Sequence, residues 1–286
     1  MYKEISEIML NTRQKCLINY LDKVGNCSKL RLAKIFFLMD REGHIGRGFK
    51  FYGFIPYKFG PYSYELFKDI EDLEEKGLLS TNKNSVRYNK GKFSLPPNIT
   101  MILNKYVKDT NGMDDRELIE HIYKKYPQYT IFSEIDKKIE YVRDRNGIIT
   151  VGYEGLSIDE FLMRLIQEKV QILVDVRKNP WSMKFGYKKF TLKSFCKNVG
   201  IEYINYPSLG ISGVHRRNLK SKSDYDVLFI RFRGELIQKE NELITLKQMA
   251  DKKRIALMCF EQDPAFCHRR ILGEELVKMG SEVTIT

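Results

Sequence analysis

Ile172-Leu173-Val174-Asp175-Val176-Arg177 sets three apolar residues before an acid, a valine and a base. An apolar run without alternation reads as a strand buried on both faces, as in a parallel sheet. The pattern recurs. Arg254-Ile255-Ala256-Leu257-Met258-Cys259 is a second buried strand, followed by Glu261 and Asp263. Ile148 to Tyr153 is a third, followed by Glu154. Shorter strands are expected at Ile201 to Tyr206 and Glu282 to Ile285. Helices are expected from the Ser157 cap through Leu165, at Thr191 to Val199, over about 224–249, and from Phe266 to Met279. Strands alternating with helices predict an α/β domain over 147–286: a mostly parallel open sheet with helices on both faces.

The first 97 residues have a different texture. Ile5, Ile8, Met9, Leu17, Tyr20 and Leu21 recur at helical spacing. Asn26-Cys27-Ser28 interrupts them, and Ser28 is placed to cap a second helix through Leu38. Pro61 stands where a third helix can begin, with Leu66, Ile70 and Leu73 as its stripe and Gly77 as its end. Leu78 to Leu95 fits two short strands around Asn82-Lys83-Asn84-Ser85. Three helices and a hairpin predict a mainly α winged helix-turn-helix domain over 1–97, with Lys83 and Arg87 on the wing. Ser94 to Asn98 is the expected linker. Residues 98–146 read as a helical connector, with acids opening and lysines closing the segment Met113 to Tyr126, as the helix dipole favours.

Charge narrows the partners. The 286 residues carry 49 Lys and Arg against 37 Asp and Glu, a net +12. Between Lys178 and Arg233 there are twelve bases and three acids. A basic excess focused on one region favours an anionic partner, nucleic acid first, with DNA ahead of RNA and a nucleotide as alternative ligand. No run is long and apolar enough for a membrane span, and Met1-Tyr2-Lys3-Glu4 opens no signal core, so a cytoplasmic protein is expected. Five scattered cysteines suit a reducing compartment. A homodimer is left open.

In an open α/β sheet, ligands bind beyond the carboxyl ends of the strands. Tyr153, Glu154, Asp175, Arg177, Glu261 and His268 all fall there. Asp175 and then Glu261 are the leading water-activating carboxylates, with Glu154, Tyr153 and His268 as further catalytic candidates. Arg177, Arg269 and Arg270 offer guanidinium forks for phosphate. The other reading of Asp175 is that it orients Arg177 and loop amides. Lys184, Lys188 and Lys189 alternate with aromatics, and Arg216 and Arg217 follow the next strand. Lysines interleaved with aromatics suit a nucleic-acid strand. Cys259, Cys267 and His268 have a C-x7-C-H spacing that is not that of a zinc finger, so no metal is assigned. The absence of glycine-rich nucleotide fingerprints and of a phosphatase-type C-x5-R loop argues against those chemistries, and no cofactor is expected.

Two resemblances add to this. Tyr57-Lys58-Phe59-Gly60-Pro61-Tyr62-Ser63, with Leu66, Ile70, Leu73 and Gly77-Leu78, resembles Panacea-type antitoxin and YwgA-like winged-helix domains. That likeness implies interaction and no chemistry. Thr150 to Gly155, Leu173 to Arg177 with Asn179-Pro180, Tyr206 with Leu209-Gly210, Leu257 to Glu261, and Cys267-His268-Arg269-Arg270 together resemble the family called domain of unknown function 488, over nearly all of 148–286. This resemblance implies a Rossmann-like fold and no settled activity. The combined expectation is an enzyme that hydrolyses nucleic acid or a nucleotide, including modified forms, in a setting such as anti-phage defence. The alternative is a nucleotide-sensing DNA-binding regulator or antitoxin-like module without catalysis.

Overall fold

The structure is a computed structural model that describes residues 9–217 and 219–285. The chain divides into two units, the first through Glu140 and the second from Tyr141.

In the first unit the elements run α1 (Thr12–Val24), β1 (Asn26–Ser28), α2 (Lys29–Arg41), β2 (Ile55–Tyr57), β3 (Gly60–Tyr62), α3 (Tyr64–Glu75), β4 (Leu79–Thr81), β5 (Ser85–Tyr88), α4 (Pro97–Asp109) and α5 (Asp115–Lys125). Asn11 and Gln14 form a capping box that starts α1. Met9 therefore precedes the helix and is exposed, while Ile5 and Ile8 lie outside the described residues. Ser28 caps α2 through the Arg31 amide. Pro61 does not open a helix. It lies in β3, opposite Pro56 of β2. Neither proline has an N–H, so this pair takes a position where the ladder needs none. The helix starts after Ser63, which accepts from the Leu66 amide. β5 pairs antiparallel with both β4 and β1, making a three-stranded sheet. The expected linker gives way at Pro97 to α4, and α4 and α5 pack on α1 and α2 within this unit.

The second unit holds β6 (Gly147–Gly152), α6 (Ile158–Gln167), β7 (Ile172–Asp175), α7 (Lys189–Asn198), β8 (Glu202–Asn205), α8 (Lys222–Leu236), α9 (Glu240–Ala250), β9 (Arg254–Cys259), α10 (His268–Lys278) and β10 (Val283–Thr284). Its sheet has the order β10-β6-β9-β7-β8, with every neighbouring pair parallel. All residues of β6, β7 and β9 are buried, which is why their sequences are nearly unbroken apolar runs. The helix expected over about 224–249 is two helices, separated by a 3-10 turn at Ile237–Lys239. They have different partners: α8 packs against α10, and α9 against β9. Among the described residues no helix is long and apolar enough to cross a membrane.

The topology opens the sheet at one place. The chain leaving β7 passes through α7 to the adjacent β8. The chain leaving β9 passes through α10 to β10, on the far side of β6. These connections diverge above the β7–β9 boundary, and such divergence leaves a crevice at the carboxyl edge. Two glycines let loops close over that edge. A Cβ on Gly152 would lie 1.9 Å from the Glu261 carbonyl oxygen, and one on Gly210 would lie 2.2 Å from the Lys178 nitrogen. Only a residue without a side chain admits backbone this close.

Candidate functional site

A cleft of about 720 Å³ lies at this edge. The loop after β7 supplies Arg177, Lys178, Asn179, Trp181 and Ser182. The segment 211–217 supplies Arg216 and Arg217, and the end of β9 with the start of α10 supplies Cys259, Phe260 and His268. No Asp or Glu is among the lining residues.

One wall is a closed knot of charge. Asp175 is fully buried, as is expected of the last residue of a central strand. Its Oδ1 accepts from the Arg177 amide at 3.1 Å and from Arg177 Nε at 2.8 Å. Its Oδ2 accepts from the Arg177 guanidinium at 2.6 Å and from the Tyr203 hydroxyl at 2.6 Å. Four donors fill the acceptor capacity of one carboxylate. Arg177 also donates to the Tyr153 hydroxyl at 2.9 Å and to the Tyr187 carbonyl at 3.1 Å. Tyr153 stacks on Tyr187 with ring centroids 4.1 Å apart. Burial works against the charge on Arg177, but Asp175 outweighs it and holds the guanidinium pKa above its ordinary value. Burial, reinforced by Asp175, pushes the Tyr203 phenol up.

The opposite wall is a cluster of thiols, imidazole and carboxylate. His268, the first residue of α10, puts Nε2 3.1 Å from the Val176 carbonyl oxygen. A carbonyl can only accept, so Nε2 carries the proton and Nδ1 presents a lone pair. Nδ1 faces Arg216 at 2.7 Å and the Cys259 sulfur at 3.7 Å. Arg216 also pairs with Glu261 at 2.5 Å, and a Glu261 oxygen lies 3.2 Å from Cys259 Sγ. The Cys267 thiol supports negative charge on Cys259, and with Arg216 beside it this outweighs burial, holding the Cys259 thiol well below its usual range. Burial and that neighbouring sulfur push Cys267 well above it. Glu261 is raised by burial and by Cys259, against the pull of Arg216.

The other anticipated residues are placed as follows. Arg269 is fully buried and donates to the backbone carbonyls of Glu261 and Gln262, so it ties down the loop after β9. Arg270 pairs with Glu274 and lies over the Phe229 ring. Neither lines the cleft. Exposed Glu154 accepts from the Gln262 amide at 3.0 Å. Lys184 donates to the Tyr153 carbonyl at 3.1 Å and sits over Tyr187. Lys188 is exposed at the start of α7, and Lys189, next along, reaches Asn205 at 3.4 Å. Arg217 is exposed on the cleft. Lys83 and Arg87 are exposed at the β4–β5 hairpin. Asp175, Arg177, Tyr153, Glu261 and His268 thus come together at one sheet edge, joined by the bond from His268 to Val176.

Tyr203 is not among the residues the sequence singles out, and Tyr187, one of the aromatics interleaved with Lys184, Lys188 and Lys189, is buried and so not open to a base. Tyr203 stands opposite Leu173 in the parallel β7–β8 register, two residues before Asp175, so its ring lies on the aspartate's side of the sheet. Tyr187 is the stacking platform for Tyr153. The Tyr203 signal becomes readable only once β7 and β8 are known to be neighbours.

Comparison with curated proteins and with solved structures gives no match. The segment that builds both walls is recognised by a family model: residues 157–276, from the cap of α6 to near the end of α10, match domain of unknown function DUF488.

Proposed function

We propose that the second unit is a hydrolase that holds a nucleic-acid strand or nucleotide by its phosphates in this cleft, and that the first unit engages DNA as a winged helix-turn-helix. The observation that carries the reading is the lining itself. Lys178, Arg216 and Arg217 converge with Trp181 and Phe260 where the loops diverge, and Glu261, paired with Arg216, is the carboxylate next to them. Cationic side chains beside aromatic faces suit phosphate and base together.

The geometry reorders the catalytic candidates. Asp175 is saturated by four donors and sealed from solvent, so it cannot take a proton from water without dismantling the knot. Its role in this reading is to position Arg177 at the cleft wall. Glu261 is half-buried beside the cleft, its proton affinity raised, which suits a group that accepts a proton and returns it. For the first unit, support comes from the β4–β5 hairpin, whose turn is held by Asn82 and which exposes Lys83 and Arg87.

The test is incubation of the purified chain with plain and modified DNA and with nucleotides, reading products by mass spectrometry and binding by fluorescence anisotropy across a salt series. Products that disappear in Glu261→Gln, with salt-sensitive binding retained, support the reading. Tight binding with no product from any substrate would replace it with the nucleotide-sensing regulator.

A further inference from the structure

We propose that Cys259, Cys267 and His268 bind a zinc ion at the foot of the cleft, with the fourth coordination position open to the cleft. The three donor atoms lie within 4.8 Å of one another, and all three side chains are buried. The Cys259 sulfur and His268 Nδ1 are 3.7 Å apart. Bonds of about 2.3 Å to sulfur and about 2.0 Å to nitrogen give a tetrahedral edge of roughly 3.6 Å, so this pair is already at ligand spacing.

Rigid elements deliver the ligands. Cys259 is the last residue of a central strand, and Cys267 and His268 open α10. The bond from His268 Nε2 to the Val176 carbonyl fixes the tautomer and aims Nδ1 at the sulfurs. This is the outer support that metal-bound imidazoles characteristically have. Two sulfurs and an imidazole favour a borderline-soft ion such as zinc over magnesium or calcium. A cationic group already sits against the cluster: the Arg216 guanidinium, 2.7 Å from Nδ1. It reaches in from the turn Gly213–Arg216, so a metal ion would take its place at Nδ1 while Arg216 keeps Glu261. Three protein ligands with an open fourth position distinguish a reactive zinc site from a closed structural one. Glu261, two residues beyond Cys259, puts a carboxylate oxygen 3.2 Å from the Cys259 sulfur, at the edge of the cluster.

This deepens the hydrolase reading by naming what activates the water, and rests on that reading for that step alone. The test is metal content and cobalt spectroscopy on the full chain, purified under reducing conditions without chelator. About one zinc per chain is expected. Replacement by cobalt should give intense tetrahedral ligand-field bands and a thiolate-to-cobalt charge-transfer band. Cys259→Ser and Cys267→Ser should each lose most of the bound metal, while Cys196→Ser, a buried cysteine of α7 outside the cluster, should keep it. The cobalt spectrum of the unaltered chain decides the matter if the serine variants fail to fold. An unaltered chain that takes up neither metal, or whose cobalt form shows no thiolate band, overturns the proposal. So does a Cys259–Cys267 disulfide as the native state. Zinc bound without any product formed would sink the hydrolase reading and leave the site standing. Products formed by metal-free protein would leave the hydrolase reading standing and remove zinc as what activates the water.

Discussion

The two walls of the cleft put polar groups at the same sheet edge in opposite conditions. On the β7 side, Asp175 and Arg177 neutralise one another, and Tyr153, Tyr187 and Tyr203 take up further capacity. On the β9 side, Cys259, Cys267, His268 and Glu261 form a cluster in which the Cys259 thiol reaches a Glu261 oxygen and Arg216, from the turn Gly213–Arg216, bonds both His268 and Glu261. A satisfied buried network fixes shape. A cluster of thiols, imidazole and carboxylate held by a cation from a surface turn can bind and react. The β7 wall is the jig, and the β9 wall is where chemistry is expected.

That division can be broken most directly at Asp175. Asp175→Ala leaves the Arg177 guanidinium buried without its anion, which should cost the second unit about 3–5 kcal/mol. Denaturant unfolding followed by far-UV circular dichroism would measure it. A variant that keeps full stability and loses only turnover would make Asp175 a catalytic group after all, and the comparison would fail. Next in size is Gly152→Ala. Its methyl must displace the Glu261 backbone, and overpacking of this kind costs about 1–3 kcal/mol. Because the displaced segment carries Glu261, turnover should fall even at temperatures where the variant is folded. Wild-type kinetics in this variant would show that the loop after β9 tolerates movement.

Tyr203→Phe sharpens the picture. It removes one of four donors to a buried carboxylate and should cost about 1.5–3 kcal/mol, with ligand affinity little changed because Tyr203 does not line the cleft. Glu261→Gln is its counterpart on the other wall. The half-buried pair with Arg216 contributes no more than about 1 kcal/mol, so stability should hold while product formation is lost. If both substitutions cost stability alone, the β9 wall is scaffold too.

The sequence reveals the strands better than the walls. β7 and β9 are legible because strands buried on both faces run apolar through their middles, Ile172–Val174 and Ile255–Met258, and the ends carry Asp175 and Cys259. That Asp175 orients Arg177 was one of the two readings open from their spacing. In the first unit the helices and the β4–β5 hairpin are legible, but β1, the β2–β3 hairpin and the start of α3 are not. A proline before an apolar stripe looks the same at a helix start as in a hairpin, and only the pairing of Pro56 with Pro61 decides it. The break at Ile237–Lys239 is hidden because the stripe runs on while the packing partners change. Tyr203 escapes because its role depends on which strands adjoin, and Arg216, expected to meet nucleic acid, also holds Glu261 from a loop 45 residues away. The thiol spacing speaks only about knuckle-type turns. It is silent on donors brought together from a strand end and a helix start.

A third arrangement, in the first unit, shows itself as a slope of stability against pH. Lys34 is buried on α2 with its ammonium 2.9 Å from the Pro61 carbonyl and no carboxylate in its ion-pair range among the described residues. Burial pushes its pKa down to about 7. Here a buried base sheds its proton where Arg177 keeps one. Since the unfolded chain holds that proton up to the ordinary lysine range near 10.4, it binds more protons than the folded chain between about pH 7 and that value. Stability from this group therefore rises with pH through that window, at up to about 1.4 kcal/mol per pH unit. Below about pH 7 both states carry the charge and the full burial cost is felt. Lys34→Met should flatten the slope, gain stability over the unaltered chain at about pH 6, and differ little from it near the top of the window. Denaturation midpoints measured across this range check the sign. A stability that falls with rising pH in the unaltered chain, restored by the methionine, would show that Lys34 is a charged and paired group like Arg177.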